Sequence, residues 1–461
     1  MAIWIKDPLA ILATGAERGL VVEATRIVEL VPAGAEPTTP CDRIVDASGH
    51  VVLPGLINTH HHFYQTLTRA CPAALDRELF DWLKALYPVW EGLTPVAHRL
   101  ASRLAMAELL LSGCTTAVDH HYVFPEGLEE AIDMQMEVAG ELGLRVHLTR
   151  GSMNLSVADG GLPPRGVVQK HDAILADSER LIARWHDGAD GAMRRVALAP
   201  CSPFSVSREL MRDIAELARL RDVRLHTHLG ETEDENAFCL SSFGMRPLDY
   251  LQECGWLDGR TWIAHGIHFT AAEIARLGAA GLGIAHCPGS NLLLSSGLCK
   301  TMELEAAGCP VGLAVDGSAS QDASNLMQEV RLAFQLGRLR KGPSVSHLDA
   351  LRWATKGGAG CLGRDDIGEL KPGKQADIAM FRLDELRFSG HGDPMAALVL
   401  CGAHRADRVM VAGRDVVVDG RIPGLDTQAL MAAHQAEANR LQGLPLRNQK
   451  TNPQNMETSD A

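Results

Sequence analysis

Between residue 51 and about residue 320, short apolar runs alternate with longer amphipathic stretches, and this rhythm limits what the chain can fold into more than any other feature. The runs are Val51 to Ile57, Thr115 to Val118, Leu144 to Thr149, Arg195 to Ala199, Val223 to Thr227, Thr261 to Ala264, Leu282 to Ala285 and Val311 to Val315. Stretches between them, such as Arg99 to Leu111 and Arg208 to Leu220, repeat apolar residues every three or four positions, the spacing of a helix with one buried face. A parallel strand needs a crossover helix before the next one, and eight such units complete a ring. The pattern therefore predicts a (β/α)8 TIM barrel over residues 51–364.

The flanks have a different texture. Gly19 to Ala24 and Asp42 to Ala47 are short β-prone pieces, and Ile367 to Phe381 and Arg408 to Val418 return to strand character after the barrel. We expect residues 1–50 and 365–442 to build one composite β-sandwich domain. Residues 443–461 are polar and aperiodic, and read as a C-terminal arm. A formal net charge of −13 lacks the basic footprint that neutralises phosphates, which argues against nucleic acid as the partner. Eleven cysteines without a CxxC pair suit free thiols in a reducing compartment, so a cytoplasmic location is expected. The first residues do not read as an export signal and no apolar run approaches the length of a membrane span, so neither export nor membrane insertion is expected.

The chemistry-bearing residues fall just past the C-terminal ends of the predicted strands, where barrels of this kind build their sites. After the first strand comes His60-His61-His62; alternate residues of an extended segment share a face, so His60 and His62 can address one metal. After the fifth comes His226-Thr227-His228-Leu229-Gly230-Glu231, adding an imidazole and a carboxylate. Ala264-His265-Gly266 and Val315-Asp316-Gly317 follow the sixth and eighth. Three imidazoles and a carboxylate make an environment for one divalent ion, zinc first and iron second, with His60, His62, His228 and Asp316 as ligands. Such an ion acidifies a bound water. Glu231 is then free to carry protons, and His265 is placed to orient the nucleophile or to support Asp316.

In order along the chain, Pro54-Gly-Leu-Ile-Asn58-Thr-His60-His61-His62, His226-Thr-His228-Leu-Gly-Glu231, Ala264-His265, His286-Cys-Pro-Gly-Ser-Asn291, Val315-Asp316-Gly317 and Gly368-Glu-Leu-Lys-Pro-Gly-Lys-Gln-Ala-Asp377 resemble the amidohydrolase superfamily, in its guanine and cytosine deaminase-like branch. The resemblance covers nearly the whole chain and implies hydrolytic deamination of an amino-substituted heteroaromatic ring. Two-metal members generally carry a carboxylated Lys at the end of strand four; here that strand reads Arg195-Val-Ala-Leu-Ala-Pro200-Cys201, without Lys, so a single ion is implied. Asn58 stands where the superfamily often has Asp, implying altered hydrogen bonding around the metal loop with the metal retained.

The loops His60 to Ala70 and Phe80 to Trp90, with Asp119-His120-His121-Tyr122, resemble the subgroup acting on oxopurines and hydroxytriazines. The implied reaction is 8-oxoguanine to urate and ammonia, with guanine, isocytosine and hydroxytriazines as alternatives. A non-catalytic assembly protein on the same fold is the reading from another class, and the complete ligand set stands against it. Gln65 can both donate and accept at the edge of such a ring. Trp82 and Trp90 are candidates for an apolar wall or for ordinary packing, and Cys201 for a ring contact or a small buried hydrophobe. His120 and His121 are further wall candidates, and His286 a brace. The partner is thus a small heteroaromatic molecule, with self-association left open.

Overall fold

The computed structural model describes residues 1–445. Eight parallel strands form the barrel in sequential order: β1 (Leu56–Asn58), β2 (Cys114–His121), β3 (Arg145–Ser152), β4 (Arg194–Pro200), β5 (Arg224–Leu229), β6 (Thr261–His265), β7 (Gly283–His286) and β8 (Val311–Leu313). The strands are almost wholly buried, as a sheet covered by helices on one side and filled by its own side chains on the other must be. Beyond the strand ends, the ring is joined by the Thr59 amide donating to the Leu313 carbonyl (3.0 Å) and the Asp316 amide to the His60 carbonyl (3.2 Å). The closure thus lies at the residues expected to carry the chemistry. The outer helices start on residues that accept from their own first turn, as Ser207 does from the Leu210 amide and Thr270 from that of Glu273.

Two sheets flank the barrel. One runs Arg26–Leu30, Gly19–Glu23, Ala2–Lys6, Arg43–Asp46; the other runs Arg414–Val417, Arg408–Val411, Ile378–Arg382, His50–Pro54, Ala10–Ile11. Ile3, Ile5 and Val22 of the first share a core with Val52, Ile378 and Met380 of the second, so the two pack face to face as a sandwich built from both ends of the chain.

Two segments differ from expectation. The apolar run 51–57 is two strands: Val51–Pro54 pairs antiparallel with Ile378–Arg382 in the flanking sheet, and only Leu56–Asn58 enters the barrel. The break is at Gly55, where a Cβ would lie 2.1 Å from the Thr115 side chain. Residues 427–442 form a helix that leaves the sandwich and packs on the barrel, where His434 Nε2 donates to Thr66 Oγ1 (3.0 Å) and Gln442 Nε2 to the Leu67 carbonyl (2.6 Å). The expected C-terminal arm lies outside the described residues from 446 onward.

Candidate metal centre and active site

The three imidazoles at the barrel mouth are fixed in tautomer by what their Nδ1 atoms meet. A carbonyl can only accept, so His62 Nδ1 donates to the His120 carbonyl and His228 Nδ1 to the Cys201 carbonyl, each at 2.7 Å. His226 Nδ1 donates to the Trp262 carbonyl (2.9 Å), which leaves His226 Nε2 to accept from His60 Nδ1 at 2.7 Å. All three Nε2 atoms therefore present lone pairs. Those of His62 and His228 face each other at 3.2 Å, and those of His60 and His62 each lie 3.4 Å from Asp316 Oδ1.

Lone pairs and a carboxylate converging without a shared proton repel one another unless a cation sits among them, so the donor set fits a divalent metal. Burial holds the imidazoles of His60, His62 and His228 below their ordinary values, which is the neutral, ligating form. The Asp316 carboxyl stands well below its usual range despite its burial, which is the ionised, ligating form.

His265 and Asp316 both stand in the left-handed region, at φ of 70° and 62°. A non-glycine residue there stores on the order of 1–3 kcal/mol, strain that marks positions where side-chain direction matters. His265 Nδ1 donates to Asn291 Oδ1 (2.9 Å), which aims Nε2 at Glu231 Oε2 (3.5 Å) and Asp316 Oδ2 (3.8 Å). Burial pushes the Glu231 carboxyl up to about 7, with Asp316 adding to the shift and His265 opposing it. Burial opposes the charged form of His265, but Glu231 and Asp316 outweigh it and raise that imidazole. The pair is thus poised to hold a shared proton near neutrality.

The adjoining pocket is lined by Gln65, Trp82, Tyr87, Tyr122, Cys201, Phe204 and Ser320 beside His62, His228, Glu231, His265 and Asp316. Gln65 Nε2 is buried without a partner, and its Oε1 accepts only a long bond (3.4 Å) from the Ala319 amide. Trp82 reaches the pocket and donates its Nε1 to the Ala319 carbonyl (3.1 Å). Burial pushes the Cys201 thiol up to about 12, so it meets a ligand as a neutral group. The space between these side chains is narrow, about 30 Å3. The helix Leu79–Trp90 supplies Leu79, Trp82, Leu83 and Tyr87 to the pocket wall.

Two expected contacts are not made. Trp90 packs edge-on against Tyr64 and Trp82 and bonds to Thr68 Oγ1, because it projects into the core and not into the pocket. His121 faces outward onto His98 and Phe124, since successive side chains of β2 alternate and His120 takes the inward side. His120 joins His60, His62 and His228 in one buried group, with its Nε2 turned to the Ala199 carbonyl (2.9 Å). His286 is buried outside the pocket wall. Asn58 Oδ1 accepts from the Val315 amide (2.9 Å), tying β1 to the segment that delivers Asp316. His226 and Asn291, which orient His60 and His265, carried no assigned role in the sequence reading; the signal for His226 was its place two residues before His228 on one strand face.

The profile of the Amidohydrolase family matches residues 51–419. The 8-oxoguanine deaminase of Pseudomonas aeruginosa is 62% identical over 95% of this chain and 98% of its own length. The hydroxydechloroatrazine ethylaminohydrolase of Pseudomonas sp. (strain ADP) is 40% identical over 85% of this chain and 82% of its own. The crystal structure of atrazine chlorohydrolase from Arthrobacter aurescens TC1 complexed with zinc superposes with a TM-score of 0.89 at 32% identity, covering 95% of this chain and 100% of the other. With its barrel, its buried ligand set and these matches taken together, the chain belongs to the amidohydrolase family.

Proposed function

We propose that this protein is a metal-dependent aminohydrolase that converts 8-oxoguanine to urate and ammonia. The observation that carries the reaction type is the buried Glu231 carboxyl beside His265 and the His60–His62–His228–Asp316 cluster. The substrate rests on the 62% identity to an 8-oxoguanine deaminase. His60, His62, His228 and Asp316 would hold a single divalent ion, zinc or alternatively iron, which would supply the Lewis acidity that acidifies a water.

Within that frame the chain's own groups divide the proton work. Glu231 in its protonated form donates to the ring nitrogen beside the amine-bearing carbon, so that the carbon accepts water as the ring gains a hydrogen. Asp316 Oδ2 faces His265, whereas Oδ1 faces His60 and His62, and Oδ2 takes a proton from the attacking water. His265 holds that oxygen and steadies the charge that develops on the adding one. Asp316 passes that proton to the amine and ammonia leaves as the carbon–nitrogen bond breaks; the second proton of the water returns to Glu231, so the oxygen remains as the new carbonyl and Glu231 is reset. Gln65, Trp82 and Cys201 serve as the substrate wall. The free cysteines among the described residues support a cytoplasmic setting, and no described helix is long and apolar enough to cross a membrane.

An ammonia-release screen over 8-oxoguanine, guanine, isocytosine, adenosine derivatives and hydroxytriazines tests the reading. It expects 8-oxoguanine to have the highest kcat/KM; guanine or a hydroxytriazine ahead of it overturns the substrate assignment, and no ammonia from any of them overturns the deaminase.

A further inference from the structure

At the end of the barrel opposite the metal ligands, a cavity of about 360 Å3 lies among the first residues of β3 to β6. Its wall includes His147 of β3, Arg195 of β4, Arg224 of β5, Arg260 just ahead of β6, and His186. Asp222 is the one carboxylate on that wall, and it is engaged by Arg260 at 2.8 Å. Among the described residues, no carboxylate stands within 4.0 Å of a nitrogen of Arg195 or Arg224. Each instead donates to backbone: Arg195 Nη2 to the Gly188 carbonyl (3.1 Å) and that of Ala189 (3.2 Å), Arg224 Nη2 to the Cys361 carbonyl (2.8 Å).

What these groups leave unused are donors. The Nε of Arg195 and of Arg224 is buried without a partner. His147 is 3% exposed, and neither of its ring nitrogens has a partner. Burial, with Arg195 and Arg224 beside it, holds the His147 imidazole neutral, so it brings an N–H without adding charge. Burial also presses down on the two guanidiniums. Arginine keeps its proton, so both guanidiniums stay charged while partly withdrawn from water.

We propose that this cavity binds a compact oxyanion of the phosphate class, free or carried on a small molecule. Guanidinium forks match the oxygens of such an anion two at a time. The volume sits at the small end of the range for ligand pockets, which suits an anion or a small phosphorylated molecule and not a polymer. The site also touches the structure that holds the metal ligands. Arg224 Cζ is 5.8 Å and the His147 ring 5.5 Å from the Trp262 ring, which stacks on His226 at 4.5 Å, and His226 orients His60.

Calorimetric titration of the metal-loaded enzyme with inorganic phosphate, and separately with adenosine monophosphate, at fixed ionic strength is the test. One saturable site per chain is expected, with a Kd at or below about 1 mM. Arg195→Gln and Arg224→Gln should each weaken it by about tenfold or more, the loss of a charged hydrogen-bonding partner, while kcat stays within about twofold of wild type. Because Arg224→Gln gives up the bond to Cys361 and can fail to fold, Arg195→Gln is the deciding variant, checked by circular dichroism. Tighter binding of the nucleotide assigns a phosphorylated small molecule, and equal or weaker binding assigns the free anion; both support the site. Absence of saturable binding of either ligand up to about 20 mM, or unchanged affinity in a folded Arg195→Gln, overturns it.

Discussion

Glu231 Oε2 lies 3.5 Å from His265 Nε2, although the two residues leave different strands and Glu231 carries no direct ligand role. With its carboxyl raised to about 7, Glu231 exchanges a proton readily at neutral pH. Glu231→Gln preserves the shape and removes that exchange. We expect kcat to fall roughly 10²–10⁴-fold with metal content unchanged by elemental analysis. Near-normal ammonia release in this variant would remove Glu231 from the mechanism.

The ligand set predicts one metal equivalent per chain, and chelation should abolish turnover while the far-ultraviolet circular dichroism spectrum persists. Two tightly bound ions would contradict the single-metal reading. His226 holds His60 Nδ1 at 2.7 Å, so His226→Ala should lower metal affinity by roughly 10–100-fold. Unchanged affinity in a competitive chelator titration would show that His60 keeps its orientation without that support.

Gln65 offers an unpaired, buried Nε2 to the pocket. A wall built to hydrogen-bond discriminates more strongly than one built to pack, because the wrong ring leaves its polar group unpaired. Gln65→Leu should cost roughly 1–3 kcal/mol of transition-state binding, or ten- to over a hundredfold in kcat/KM for 8-oxoguanine, with metal content intact. An unchanged kcat/KM would place the substrate edge elsewhere.

Burial pushes the Glu329 carboxyl up to about 8, against the Gly289 amide and the Gln321 side chain that donate to it. In the unfolded chain it titrates near 4.5. Below that value both states hold the proton; between about 4.5 and 8 the unfolded chain releases it while the folded chain keeps it. Its contribution to stability is therefore complete at low pH and is lost as pH rises through the window. Tm should drop less steeply from pH 5 to pH 8 in Glu329→Gln than in wild type. Parallel slopes in thermal denaturation would show that the carboxyl is ionised in the fold.

Much of this was legible in the sequence because two periodicities coincided. The strand–helix alternation located the strand ends, and His60, His62, His228, His265 and Asp316 lay within a few residues of them. What failed were statements about direction. His120 and His121 are both wall candidates in the sequence, but adjacent residues of a strand face opposite ways, and the structure turns His121 onto His98 and Phe124. Trp82 and Trp90 fit either a pocket wall or ordinary packing in the sequence; the buried face of their helix divides, with Trp82 on the pocket and Trp90 in the core. The run 51–57 concealed a change of sheet, since strands of both sheets are apolar and only the crowding of Gly55 against Thr115 marks the passage.

Gly317 follows Asp316, and a Cβ built on it would stand 1.8 Å from Gln65 Oε1. The two positions are therefore epistatic. A side chain at 317 forces the Gln65 amide, the far end of a flexible side chain, out of its present place, and a smaller residue at 65 removes that conflict. Divergence of this pocket toward a differently decorated ring therefore couples the two positions, because a side chain at 317 and the amide at 65 compete for one volume.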